Sequence, residues 1–240
     1  GALHVRRSTD NGRTFHRAFT VAADPAPAPA RGPALAAGPG DRVHLFWTTG
    51  RDPRSDIRTA FSENGGKRWR RPETVLATEG YSDAPSAVVD SKGNTHLAWS
   101  ERPGGFGSAG HVAYARLPAG SRTWEGPRGF ENPGGHASGG FPSIARTEGD
   151  RLILLWELYG SGAHRSTALA HTATDGEGSF HPPEVLPGSV AGSGFNGSLQ
   201  GPLGDKLDAG PGGVIAAVNS VFARDDASRI WLWTGRFGNY

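Results

Sequence analysis

Three carboxylates and one phenol stand where catalytic chemistry could be assembled. Glu101 and Glu157 closely follow Trp99 and Trp156, Tyr159 comes just beyond Glu157, and Asp83 lies shortly before Pro85. Glycosidic bonds are cleaved by a pair of carboxyl groups, or by a tyrosine working with a carboxylate. Asp83, Glu101, Glu157 and Tyr159 are therefore the catalytic candidates, whereas Tyr114 lies in a strand-like run and reads as packing. Arginine supplies a second chemistry. Arg51, Arg54, Arg102, Arg165, Arg224 and Arg229 fall in the segments between apolar runs, with Phe195 and Asn196 in another such segment. Converging guanidinium groups bind a carboxylate or sulfate through forked, charge-assisted hydrogen bonds. The competing expectation is that charged residues between strands are simply exposed and solvated.

Other chemistries find little support. Cysteine is absent, which excludes disulfides, thiolate catalysis and Cys-ligated metals. His44 and His96 occupy matching places in repeated runs and read as packing, and His164 and His171 lack ligand-spaced neighbours. Neither a metal nor a cofactor is expected. Gly104-Gly105-Phe106-Gly107 precedes no helix and is not a phosphate loop. Net charge is only +2, and the one dense basic run, Lys67-Arg68-Trp69-Arg70-Arg71, sits in a turn, so nucleic acid is not an expected partner. No apolar run is long enough to span a membrane. Methionine is absent and the chain opens at Gly1 inside a repeat, as in a processed or excised segment.

The elements that must position these residues announce themselves by repetition. Phe15, Trp69, Trp124 and Phe180 recur at steps of 54, 55 and 56 residues. In the same phase, Pro33, Pro85, Pro142 and Pro202 each precede a short apolar run, a Gly/Asp/Asn turn and a second apolar run. Val43-His44-Leu45-Phe46-Trp47 and Thr95-His96-Leu97-Ala98-Trp99 are two such second runs. Runs bounded in this way read as hairpin strands. A third strand is expected over 57–61, 111–115, 167–171 and 230–233, and a fourth after the aromatic, as at 73–76. Apolar series at helical spacing are missing, and 37 Gly and 18 Pro suit many short strands. Four antiparallel strands per unit make an all-β β-propeller. The expected organisation is a single domain over 1–240: a partial blade 1–27, blades at about 28–78, 79–131 and 132–190, and a partial blade 191–240. About 17 strands result, more than four blades hold and fewer than five need, as in an incomplete ring of a five- or six-bladed parent.

One turn is more specific than the rest. Ser8-Thr9-Asp10-Asn11-Gly12-Arg13-Thr14-Phe15 fits Ser-x-Asp-x-Gly-x-Thr-aromatic throughout. Ser62, Asn64, Gly66 and Trp69 form a second copy, Trp124 ends a third, and Asp175 and Phe180 belong to a fourth. This pattern resembles the Asp-box, or BNR repeat, of sialidase-like β-propellers. The resemblance implies that these residues are structural, in turns between third and fourth strands on the face away from the ligand. It places the ligand on the opposite face, near Arg31, Tyr81-Ser82-Asp83, 136–141 and Phe195-Asn196, and in the loops 49–56, 101–110, 158–166 and 221–229. Arg51, Arg102, Arg165, Arg224, Phe195 and Asn196 become the ligand-binding candidates. Sialidases of this family also carry an Arg-Ile-Pro motif, which the chain lacks; its analogues Ala84-Pro85 and Phe141-Pro142 have no arginine. The expectation is a secreted propeller that binds a glycan or another anionic small molecule on its loop face. The alternatives are an exo-glycosidase of sialidase type and a protein-interaction scaffold.

Overall fold

A computed structural model describes residues 2–23, 30–162, 166–175, 177–190, 205–221 and 229–236. They form a β-propeller array of antiparallel blades. The first blade contributes β1 (Ala2–Val5) and β2 (Phe19–Ala23). The second is β3 (Arg31–Ala37), β4 (Val43–Arg51), β5 (Arg54–Ser62) and β6 (Glu73–Thr74). The third is β7 (Tyr81–Val89), β8 (Thr95–Arg102), β9 (His111–Leu117) and β10 (Glu125–Phe130). The fourth is β11 (Ser138–Arg146), β12 (Leu152–Tyr159), β13 (Ala168–Ala173) and β14 (Glu184–Val185). The last is β15 (Leu207–Ala209), β16 (Val214–Val221) and β17 (Arg229–Arg236). Within each blade consecutive strands pair antiparallel. A single parallel bridge, Ser55 to Tyr81, stitches the second blade to the third. The only helical turn in the described residues is a 3-10 turn at Pro211–Gly213, and no helix there is long and apolar enough to cross a membrane.

The core sits between blades, because each of the three central sheets buries apolar side chains on both faces. Leu45, Trp47 and Ala60 of the second blade pack on Val21 of the first. Phe46 and Ile57 meet Leu97, Trp99 and Ala113 of the third, and Ala98, Val112 and Phe130 meet Leu154, Trp156 and Leu158 of the fourth. Ile153, Leu155 and Leu169 face Leu207, Ile215 and Ala217 of the last. The aromatics that end the repeated turns join these seams. Trp69 packs against the first seam, Trp124 lies in the second and Phe180 in the third. Each contacts the blade before its own. Phe15 is the exception, 57% exposed, and no described blade precedes its own.

The turns owe their shape to side-chain caps. Ser8 Oγ accepts from the Gly12 amide at 2.8 Å, and Asp10 accepts the Thr14 amide and hydroxyl at 2.9 and 2.6 Å. The Thr14 hydroxyl, the Thr14 amide and the Ser8 hydroxyl together hold the Asp10 carboxyl down to about 2. Ser62 and Asn64 repeat the net, accepting from Gly66 at 2.9 Å and Arg68 at 2.8 Å. Asp175 retains part of it through the Glu177 and Ser179 amides.

Two expectations about strand limits are corrected. Pro33, Pro85 and Pro142 do not precede the inner strands; β3, β7 and β11 begin two to four residues earlier and carry these prolines inside a bulge. Pro202 lies outside the described residues. The expected loop 49–56 is mostly strand, since β4 and β5 run on to Arg51 and Arg54.

His44 offers a test of this core. It stacks on Phe46 and Phe61, and burial, with Arg42 assisting, pushes its pKa down to about 4. The unfolded chain therefore binds a proton below about pH 6.5 that the folded chain refuses until about pH 4. Stability is lost as pH falls through that window. The His44→Leu variant cannot titrate here, so its stability relative to wild type should rise by on the order of 3 kcal/mol between pH 7 and pH 4. Urea unfolding at both pH values checks this; a pH-independent difference would contradict it.

Candidate functional site

The bulges on the inner strands create the site. The ladder slips between Arg31 and Ala34, between Asp83 and Ser86, and between Gly140 and Ser143. Proline has no N–H to give the ladder, and a bulge re-aims the side chains beside it. The residue before each proline has positive φ: Gly32 at 57°, Ala84 at 52° and Phe141 at 54°. Non-glycine residues held there carry strain, which gathers where a site must be shaped. Arg31, Asp83 and Gly140 thus occupy one equivalent position in three successive blades: a cation, an anion and no side chain at all.

Arg31 and Asp83 interact across the seam, Nε to Oδ1 at 3.8 Å. Arg31 also donates to the Gly50 carbonyl and the Tyr81 hydroxyl, both at 2.8 Å. Asp83 accepts the Thr48 hydroxyl at 3.0 Å and the Ala84 amide at 2.8 Å. Burial, then the Asp83 charge, raises the Tyr81 phenol above its usual range, so it stays protonated. The third position is empty for a reason: a Cβ on Gly140 would stand 2.9 Å from Arg102 Nη2. The missing side chain makes room for that guanidinium.

Arg102 is the unusual group. It is only 5% exposed, its Nη1 has no hydrogen-bond partner, and no carboxylate among the described residues lies within 4.0 Å of it. Its charge rests against two rings, Cζ lying 5.2 Å from the Phe141 centroid and 5.6 Å from that of Phe106. Lys206 also approaches Phe141, its ammonium 5.9 Å from that ring, and it pairs with Glu157. Glu157 is fully buried and also accepts the Tyr159 hydroxyl at 2.5 Å. Tyr159 packs with Phe141 and Ala84, which returns the arc to Asp83. Arg31, Asp83, Arg102, Lys206, Glu157 and Tyr159 therefore form one continuous arc over the inner strands. A cavity of about 310 Å³ is lined by residues of β3, β7, β11 and β15.

The expectation of solvated loop residues is overturned for four candidates and for Arg102. Asp83, Glu101, Glu157 and Tyr159 are 5%, 9%, 0% and 8% exposed, and all lie on strands. The strands of these blades continue into segments that look like loops in the sequence. Glu101 stands apart from the arc, because Ser82 Oγ and Trp99 Nε1 already donate to its Oε2 at 2.6 and 3.0 Å. It holds Ser82 through the first of these bonds. Arg51 and Arg54 are exposed at a hairpin tip. Arg165, Arg224, Phe195 and Asn196 lie outside the described residues.

The sequence analysis places Arg31 on the ligand face without recognising its motif, and it misses Lys206 altogether. Arg31-Gly32-Pro33 is in phase with Ala84-Pro85 and Phe141-Pro142 and does carry an arginine; allowing any middle residue would have found it. Lys206 carried no signal, as its role comes from meeting Glu157 across the fourth seam.

Solved structures show where this fold recurs. The chain is similar to a Hadza microbial sialidase, with TM-score 0.62 and 12% identity over 88% of this chain and 47% of that one. It is similar to a xylan β-1,4-xylosidase from Bacillus halodurans, with TM-score 0.56 and 13% identity over 90% and 42%. An α-L-arabinofuranosidase from Lactobacillus brevis gives TM-score 0.56 and 11% identity over 87% and 68%. The chain spans about half the length of the first two, and the likeness is one of fold. No family model matches the sequence, and no curated protein matches it.

Proposed function

We propose that this propeller binds a glycan bearing a carboxylate, seated on the arc with its acid group on Arg102. The carrying observation is the buried guanidinium without a carboxylate partner. A desolvated cation resting only on aromatic faces keeps unused hydrogen-bonding capacity, which a planar carboxylate matches in charge and geometry. In this reading Asp83 and the Tyr159 hydroxyl orient sugar hydroxyls. The glycan-acting names among the similar folds support sugar as the ligand class. A secreted or periplasmic location is part of the same proposal. Titration calorimetry against N-acetylneuraminic acid and its methyl ester tests it: the acid should bind and the neutral ester should not. Equal binding of the two would sink the reading.

A second reading, hydrolysis by a sialidase-type exo-glycosidase, is favoured by one observation. Tyr159 donates to a fully buried carboxylate at 2.5 Å, the pairing that a tyrosine nucleophile requires. Release of 4-methylumbelliferone from its N-acetylneuraminide should then be measurable, and Tyr159→Phe should lower kcat by roughly 10²-fold or more. Absence of turnover alongside retained acid binding would leave the binding function and remove the enzyme.

A further inference from the structure

We propose that Phe106 is the platform of a second sugar subsite, so that the ligand is an acidic oligosaccharide held at two consecutive residues. The inference rests on the acidic-glycan reading and adds ligand length to it. Phe106 is 56% exposed although it sits beside buried Arg102 and makes an edge contact with Tyr81 at 5.6 Å. An exposed phenylalanine on a glycine-bracketed loop would ordinarily turn away or move freely. Here the loop is tied on both sides. The Phe106 amide donates to Asp52 Oδ1 at 2.6 Å, a bond that reaches over from the hairpin of the preceding blade. Ser108 holds the turn from within, accepting from the Gly104 amide at 3.0 Å while its hydroxyl donates to the Gly105 carbonyl at 2.8 Å.

Gly105 shows how closely the two blades meet. Its φ is +93°, and a Cβ there would stand 2.8 Å from Asp52 Oδ1 and 3.0 Å from Pro53. Two blades thus cooperate to present one apolar ring at the rim of the arc, where packing alone gives no reason to expose it. A ring held in this way offers its face to the C–H side of a pyranose, while its own position costs the complex little further ordering. Since Arg102 touches the same ring, a sugar on Phe106 would be the neighbour of the one whose carboxylate Arg102 takes.

The test is calorimetric titration of the whole chain with two pairs of probes: N-acetylneuraminic acid against 3′-sialyllactose, and galacturonic acid against trigalacturonic acid. For the acid that binds, the longer probe should bind about tenfold tighter. That ratio should fall to about one in Phe106→Ala and persist in Phe106→Trp, which keeps a ring face. A wild-type ratio of one, or a ratio that survives in Phe106→Ala, overturns the second subsite and leaves the acid site standing. Failure of the wild-type chain to bind any of the acids overturns both.

Discussion

Replacing Arg102 by methionine is expected to weaken acidic-sugar binding about 100-fold without lowering the melting temperature. Most buried-residue substitutions destabilise, so this outcome is specific to the geometry. Arg102 is 5% exposed, lacks a carboxylate partner among the described residues and leaves Nη1 unbonded. Taking a charge out of water costs several kcal/mol, and contacts with Phe106 and Phe141 return about 1–2 kcal/mol each at most. Methionine keeps the unbranched stem and the contacts with both rings, and it removes the unmet charge. The variant should therefore melt at or above the wild-type temperature by differential scanning fluorimetry. Its affinity for the acidic probe should fall about 100-fold, the worth of two charge-assisted hydrogen bonds. Arg102→Lys should recover only part of that, because an ammonium keeps the charge and loses the fork. A marked drop in melting temperature with affinity retained would make Arg102 a structural residue and remove the proposed site. The opposition expected here, stability gained and binding lost, is what a site that holds strain or unmet charge for its ligand should give.

What the sequence disclosed follows from what repeats. Apolar runs with turns between them recur because every seam needs the same thing, and the seams fill as the runs anticipate: Trp47, Trp99 and Trp156 are each 2% exposed or less. The turn caps were legible because they are local; Ser8, Asp10, Gly12 and Thr14 complete their net within one turn. The site was half legible. Asp83, Glu157, Tyr159 and Arg102 drew attention by residue type, but their burial did not, since a strand that runs on past its apolar stretch leaves no periodic trace. Arg31, Asp83 and Gly140 look unrelated until the bulge shows that they share a position. Lys206 could not be found at all, because its partner lies 49 residues away in another blade. Phe15 erred in the other direction. Its motif is complete, yet the ring's burial depends on a neighbouring blade, which the motif does not encode.

Lys206→Met is expected to be among the most destabilising single changes in the last two blades. Glu157 is 0% exposed and its two oxygens are divided between Lys206 and Tyr159. Among the described residues this is the only ion pair between the fourth blade and the last. Removing the ammonium leaves a carboxylate in the seam with a single donor, and breaking one side of a buried pair costs about 3–5 kcal/mol. At about 2–4 °C per kcal/mol for a chain of this length, the melting temperature should fall by roughly 10 °C. Glu157→Gln alone should cost less, because an amide is neutral and can still accept from Tyr159. The double variant separates the charge from the packing. If the pair is held together by its charges, Glu157→Gln should recover much of what Lys206→Met loses, with a coupling of about 1–3 kcal/mol in the double-mutant cycle. Additive losses would mean that the ammonium acts through its contact with the Phe141 ring, 5.9 Å away, and not through Glu157. The distinction reaches the site itself. A charge-coupled Lys206 fixes Glu157, and through it the Tyr159 hydroxyl, so the last blade would set the geometry of a group that the fourth presents.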